Sequence, residues 1–178
     1  MDRELPAENR ILAATADNCT LVAVSGAATF KLAPAFKQAA QAAKLAGSAL
    51  IVVDMAACIS MDSTFMGAIA SLGFYIQKSE TTRLVFINLA PHAAALLKGL
   101  GVDRILTIYP AGALPEGLGD LSVLEQSLRP VENAAPGAHA MAALMYDAHE
   151  TLARVDPVNM QRFKDVLAFL REDLRRLK

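Results

Sequence analysis

The feature that most constrains this chain is the run "ALIVVDM", from Ala49 to Met55. It is continuously apolar up to Asp54, of strand length, and flanked by segments of helical periodicity. A strand without polar alternation is covered on both faces, as in a sheet whose parallel strands are joined by crossing helices. The surrounding segments agree. "RILAATAD" and "CTLVAVSG" form a hairpin about Asp17 and Asn18, ended by Gly26. "LAPAFKQAAQAAKLAG" has helical spacing, with Pro34 near its start and Gly47 past its end. "STFMGAIASLGFYIQKSE" is helical and apolar nearly all round, so it is largely buried. "RLVFINL" is a strand, "APHAAALLKGLG" a short helix, and "RILTIYP" the last strand. The order β-β-α-β-α-β-α-β gives an α/β fold with a mixed, mostly parallel sheet.

After residue 110 the pattern changes. "AGALPEGLG" breaks it, "DLSVLEQSL" forms a short helix, and "RPVENAAPGA" breaks it again. "HAMAALMYDAHETLARV" and "MQRFKDVLAFLREDLRRLK" then read as an αα-hairpin. In its second helix Phe163, Val166, Leu167, Leu170 and Leu174 share one face, while Arg171, Arg175, Arg176 and Lys178 suit the negative end of the helix dipole. The expected division is a domain over 1–112, a linker over 113–136, and a helical hairpin over 137–178. The hairpin's apolar face must cover the domain, a second copy of the chain, or another protein.

Charge and composition exclude several roles. Net charge is −1, without the basic excess of a nucleic-acid binder. No run reaches the roughly 18–20 apolar residues of a membrane span, and "MDRELPAENR" lacks the pattern of a secretory signal. A cytoplasmic location with reduced thiols follows as the expectation. Cys19 and Cys58 have no metal-ligand spacing, and His92, His139 and His149 are scattered, reading as surface or capping residues. No cofactor or metal is expected. "G-x-S-x-G", the phosphate loop and "G-x-G-x-x-G" are absent, and no histidine stands in an elbow context beside a serine. Asp54 ends its strand, but a receiver-type phosphoaspartate would need further acids after the first strand, so Asp54 reads as a turn cap.

One segment stands out. "ISMDSTFMGAI" places an acid, two hydroxyls and a glycine between core segments. Asp62 suits an N-cap, accepting from the backbone N–H of Thr64 or Phe65, worth about 1 kcal/mol. Ser63 and Thr64 then lie in the first helical turn, beside unpaired N–H donors and the positive dipole end. Phosphate there would gain local stabilisation and add about −1.5 to −2 charges at a partner surface.

"LIVVDMAACISMDSTFMGAIASL" resembles the centre of STAS domains, the anti-sigma-factor-antagonist family, in which a "vvlDls" strand leads to "DSSG" at a helix start. "VSGAATFKLAPAFKQAA" and "TRLVFINLAPHAAALLKGLGVDRILTIYP" extend the resemblance to roughly residues 8–112. It implies a STAS-like mixed sheet with helices, no catalysis, and binding to an anti-sigma factor or related switch kinase that phosphorylation disrupts. Thr64 matches the usual phosphoacceptor, Ser63 the first hydroxyl, Asp62 the preceding acid and Gly67 the later glycine. The implied partner surface is Asp62, Ser63, Thr64, Phe65, Met66 and Gly67. Phe65 stands where the family has its first glycine, and Thr29 where an acid is frequent. The alternative is a constitutive assembly subunit, a homodimer or part of a larger complex such as a lipid-transport system, in which the hydroxyls only cap. A small-ligand binder is a third class, supported only by the open sheet.

Overall fold

The computed structural model describes residues 8–177. The opening residues 1–7 and Lys178, both part of the sequence reading, lie outside the described residues. β1 (Arg10–Ala16) and β2 (Cys19–Ala28) pair antiparallel around Asp17 and Asn18, both at positive φ. That is the two-residue hairpin turn whose twist matches its strands. α1 (Ala33–Leu45), β3 (Leu50–Asp54), β4 (Cys58–Met61), α2 (Ser63–Gln77), β5 (Arg83–Leu89), α3 (Pro91–Gly99) and β6 (Thr107–Pro110) follow. β2, β3, β5 and β6 are parallel neighbours. With β7 (Arg129–Pro130) at the far edge, the sheet order is β6-β5-β3-β2-β1-β7, and β4 pairs with β2.

Three details differ from the sequence reading. Gly26 does not end β2. Its φ of +76° shifts the register, and the strand runs on to Ala28 against β4. Glycine permits this because a Cβ disfavours that backbone region. The segment "CISM" before the helix is therefore a strand, one that the element order read from the sequence lacks. The last strand starts only at Thr107, because Gly101, at φ +74°, leads into a 3₁₀ turn over Val102–Arg104.

One face of the sheet carries the larger core, in which Phe36 of α1, Phe65 and Ile69 of α2, Leu97 of α3 and Phe86 of β5 are all buried. On the opposite face Ala14, Leu21, Val52, Val85 and Ile87 lie beneath Leu124 of α4 (Ser122–Ser127), with Leu118, Leu121 and Leu128 alongside. Residues 113–136 thus include the cover of the second face, and β7 (Arg129–Pro130) joins the β1 edge.

α5 (Ala138–Val155) and α6 (Val158–Arg176) form an antiparallel hairpin, and α5 lies along α2. Phe163, Leu167 and Leu170 of α6 are buried, whereas Val166, expected on the same face, is 39% exposed. Asn159, 1% exposed, donates to the carbonyls of both Leu152 (2.8 Å) and Leu100 (2.9 Å). It fastens the hairpin's turn to the end of α3. Arg104 pairs with Asp156 in the same turn at 2.5 Å.

The Asp156 carboxyl lies below the usual aspartate range, first because the backbone N–H of Val158 donates to it and then because of Arg104. The lowered folded value sets the sign. The ionised group favours the closed turn, fully so above the ordinary aspartate value near 4, and the contribution vanishes as pH falls through the lowered value. The Val158 amide resonance is expected to titrate with a midpoint below that of a free aspartate. Asp156→Asn should remove this titration, and a midpoint at or above about 4 would contradict the assignment.

Among the described residues, no helix is long and apolar enough to cross a membrane, and no group of three or more His, Cys, Asp or Glu could hold a metal ion. Cys19 and Cys58 are free thiols, and burial pushes both above the ordinary value.

Candidate functional site

The start of α2 is built by Asp62. Its backbone is extended (φ −94°, ψ 171°), and its Oδ1 accepts from the Phe65 N–H at 2.8 Å, capping one of the donors that a helix start leaves unpaired. Oδ2 accepts from the N–H of Phe30 at 2.7 Å. The carboxylate therefore ties the α2 start to the chain leading into α1. The Asp62 N–H donates to the Ala28 carbonyl, continuing the β2–β4 pairing. The acid in the motif is a structural joint whose two oxygens are both engaged.

The residues after it diverge in exposure. Ser63 is half-buried. Thr64 is 3% exposed, Phe65 fully buried and Met66 6% exposed, and Gly67 is also buried. The Phe65 ring lies 5.0 Å from that of Phe36, tilted by 46°. The bulky residue at the family's glycine position has become core, joining α1 to α2.

The cover over Gly67 is α5. A Cβ built on Gly67 would meet the Ala148 carbonyl oxygen at 2.4 Å and the Ala148 Cβ at 2.7 Å. The two helices cross here backbone against backbone, which requires a glycine on one side and a small residue on the other. One turn away, Ser63 Oγ lies 3.0 Å from His149 Nε2, while His149 Nδ1 lies 2.7 Å from the Met145 carbonyl oxygen. A carbonyl only accepts, so Nδ1 carries the proton, and in the neutral ring Nε2 accepts from the Ser63 hydroxyl. His149 is 3% exposed and sits edge-on to Phe163 at 5.0 Å. Farther along α2, Ser71 Oγ reaches Thr151 Oγ1 at 3.1 Å and Asp147 at 3.3 Å. Lys37 of α1 pairs with the same Asp147 at 3.5 Å.

No histidine stands near Ser63 in the sequence. The fold brings one from 86 residues away, and it acts as a clasp between α2 and α5. The signal was present but weak. Ala142, Met145, His149 and Leu152 recur at helical spacing on α5, so His149 interrupts an apolar stripe, yet nothing in the sequence named the surface that stripe would meet. Asp54, read as a turn cap, accepts from the Ala56 N–H at 2.9 Å and from Asn88 Nδ2 at 2.8 Å.

Beside Ser63 lies an apolar hollow of about 310 Å³, bounded by Met66 of α2, Leu96 and Leu100 near α3, and Phe163 of α6. The Ser63 side borders this hollow, so of the two adjacent hydroxyl residues it alone keeps some open surface.

Comparison with known proteins fits this architecture. The chain resembles the crystal structure of an anti-sigma factor antagonist from Mycobacterium paratuberculosis, at 24% identity and a TM-score of 0.50, over 56% of this chain and 84% of the other. A putative anti-sigma factor antagonist from Thermotoga maritima matches at 19% identity and a TM-score of 0.49, over 55% and 83%. No curated protein matches. The family model described as "Mlab, STAS domain" matches residues 11–108, more than half of the sequence, with the α5–α6 hairpin beyond its end. That match covers the mixed sheet and the start of α2, and the chain belongs to the STAS domain family.

Proposed function

We propose that this chain is a non-enzymatic regulatory binding module of the bacterial cytoplasm, antagonist to an anti-sigma factor or related switch kinase, which it engages at the α2 start. The surface is the part of the Asp62–Gly67 segment centred on Ser63 and Gly67, with Asp62 holding its turn and Phe65 its core, and phosphate on Ser63 or Thr64 weakens the complex. The observation that carries the reading is that this helix start already meets a protein surface, α5, through the Ser63–His149 hydrogen bond and the Gly67–Ala148 crossing. It has the shape and polarity of a helix-binding site. The first turn of α2 supplies N–H donors and a positive dipole end for a phosphate.

The burial pattern favours Ser63 as the first acceptor. Thr64, the acceptor that the resemblance implies, is 3% exposed, so a kinase would reach it only after local opening. A second reading, the constitutive assembly subunit, is favoured by Val158 and Phe169 of α6, 70% and 62% exposed. These would serve a homodimer or a larger complex such as a lipid-transport system.

The test is co-purification of wild type, Ser63→Glu, Thr64→Glu and Ser63→Ala from the native host, with peptide mapping of the α2 segment. At least tenfold loss of one and the same partner in Ser63→Glu, retained in Ser63→Ala, is expected together with phosphate on Ser63. Equal recovery by all four proteins, without modification, would end the switch reading and leave the assembly reading.

A further inference from the structure

Three observations concern what occupies the α2 face. First, Gly67 costs its helix about 1 kcal/mol relative to alanine, and the space it opens is filled by the Ala148 backbone. The glycine is matched to a crossing helix. Second, the contact carries directional polar pairs, Ser63 with His149, and Ser71 with Asp147 and Thr151. Contacts between units that separate are more polar than a permanent core. Third, α5 is joined to β7 by residues 131–137, which form neither helix nor strand, and α5 has no side-chain cap at Gly137. The tether lets the hairpin leave once the Asn159–Leu100 bond and the Arg104–Asp156 pair at its turn are broken.

Resting on the proposal that the α2 start is the binding surface, we propose that the α5–α6 hairpin holds, within the chain, the place of a partner's helix. The partner that fits is a protein presenting a helix with an alanine-sized residue opposite Gly67 and a hydrogen-bond acceptor opposite Ser63, one position away as in Ala148–His149. An acidic side chain immediately before the alanine-sized residue would reach Ser71 and Lys37 as Asp147 does. The partner engages by displacing α5, so its apparent affinity is reduced by the fraction of chains in which α5 is closed. A phosphate on Ser63 would remove the hydroxyl proton that His149 accepts, opposing the cis helix and a similar partner helix alike.

The test uses the full chain and, as probe, a labelled synthetic peptide of residues 138–177. Ala148→Leu places a side chain where the two backbones meet and leaves α2 itself unchanged. Hydrogen exchange of the α5 amides is expected to rise at least tenfold while β3 and β5 keep their protection. The peptide is expected to bind this variant at least tenfold more tightly than wild type. Adding Gly67→Ala, which blocks the α2 face, should abolish the gain. His149→Leu, which removes the acceptor for Ser63, is the second route if Ala148→Leu loses protection in the sheet, and it should show the same gain in peptide binding. The proposal is overturned if α5 stays protected in a folded variant, if a loosened chain binds the peptide no better than wild type, or if Gly67→Ala leaves the gain intact. Such a result would still leave the phosphomimetic comparison free to succeed, since that experiment reads retention of a partner rather than occupancy by a helix.

Discussion

Phe65→Ala is expected to lower the unfolding free energy by about 3–5 kcal/mol, the range for removing a large aromatic from a packed interior. The ring is fully buried and lies 5.0 Å from Phe36. The aromatic pair adds about 0.5–1.5 kcal/mol beyond area alone. The vacated space would lie between α1 and α2, both backed by the sheet, so little can collapse into it. For a domain of ordinary stability, about 5–15 kcal/mol, such a loss leaves a marginal protein. Urea titration of both proteins measures it, and a loss under about 1 kcal/mol would show that the ring is not the joint between these helices. The outcome bears on function because Phe65 replaces a family glycine in the middle of the implied binding motif. Here that position is committed to stability.

The second large effect is Asp62→Ala, expected to cost about 2–5 kcal/mol. Loss of the N-cap bond to Phe65 accounts for about 0.5–2 kcal/mol. Loss of a charged acceptor from the Phe30 N–H accounts for about 1.5–3 kcal/mol. The two oxygens serve different elements, so the losses arise at separate places and largely add. Asp62→Asn keeps one oxygen acceptor and should recover about half of the loss. If alanine cost no more than about 1 kcal/mol by urea titration, the bond to Phe30 would be contributing nothing. With Asp62→Ala, the first turn carrying Ser63 and Thr64 would also fray, so partner binding should weaken even without phosphate.

Much of this was legible in the sequence for identifiable reasons. "LIVVD" could only be a doubly covered strand, and β3 is that strand, central and parallel to both neighbours. Asp62 before two hydroxyl residues gave the helix start and its cap. β4 was hidden because its pairing depends on the register shift at Gly26, which the sequence shows only as a glycine that could equally end a strand. The 3₁₀ turn over Val102–Arg104 was hidden because "RIL" has strand composition while Gly101 sets the local backbone.

The larger omission concerns the site. Periodicity shows that α5 has an apolar face but does not name the surface that receives it. Gly67 therefore read as part of the implied partner surface, although Ala148 of α5 lies against it. His149 was misplaced for the same reason, because its environment comes from an element 86 residues distant.

The hairpin follows the domain in the chain, and this has a consequence during synthesis. Translation delivers the segment through β6 before α5 and α6. At about 5–20 residues per second, the 18 and 19 residues of α5 and α6 take roughly 2–7 s to appear. For that interval each nascent molecule presents α2 with nothing laid across Gly67. On the proposed displacement of α5, a partner present at the ribosome would meet an open groove, whereas one arriving later would compete with a helix already seated. The order of events in translation, as well as the affinities of the finished protein, therefore helps to set how much of the chain is made in complex.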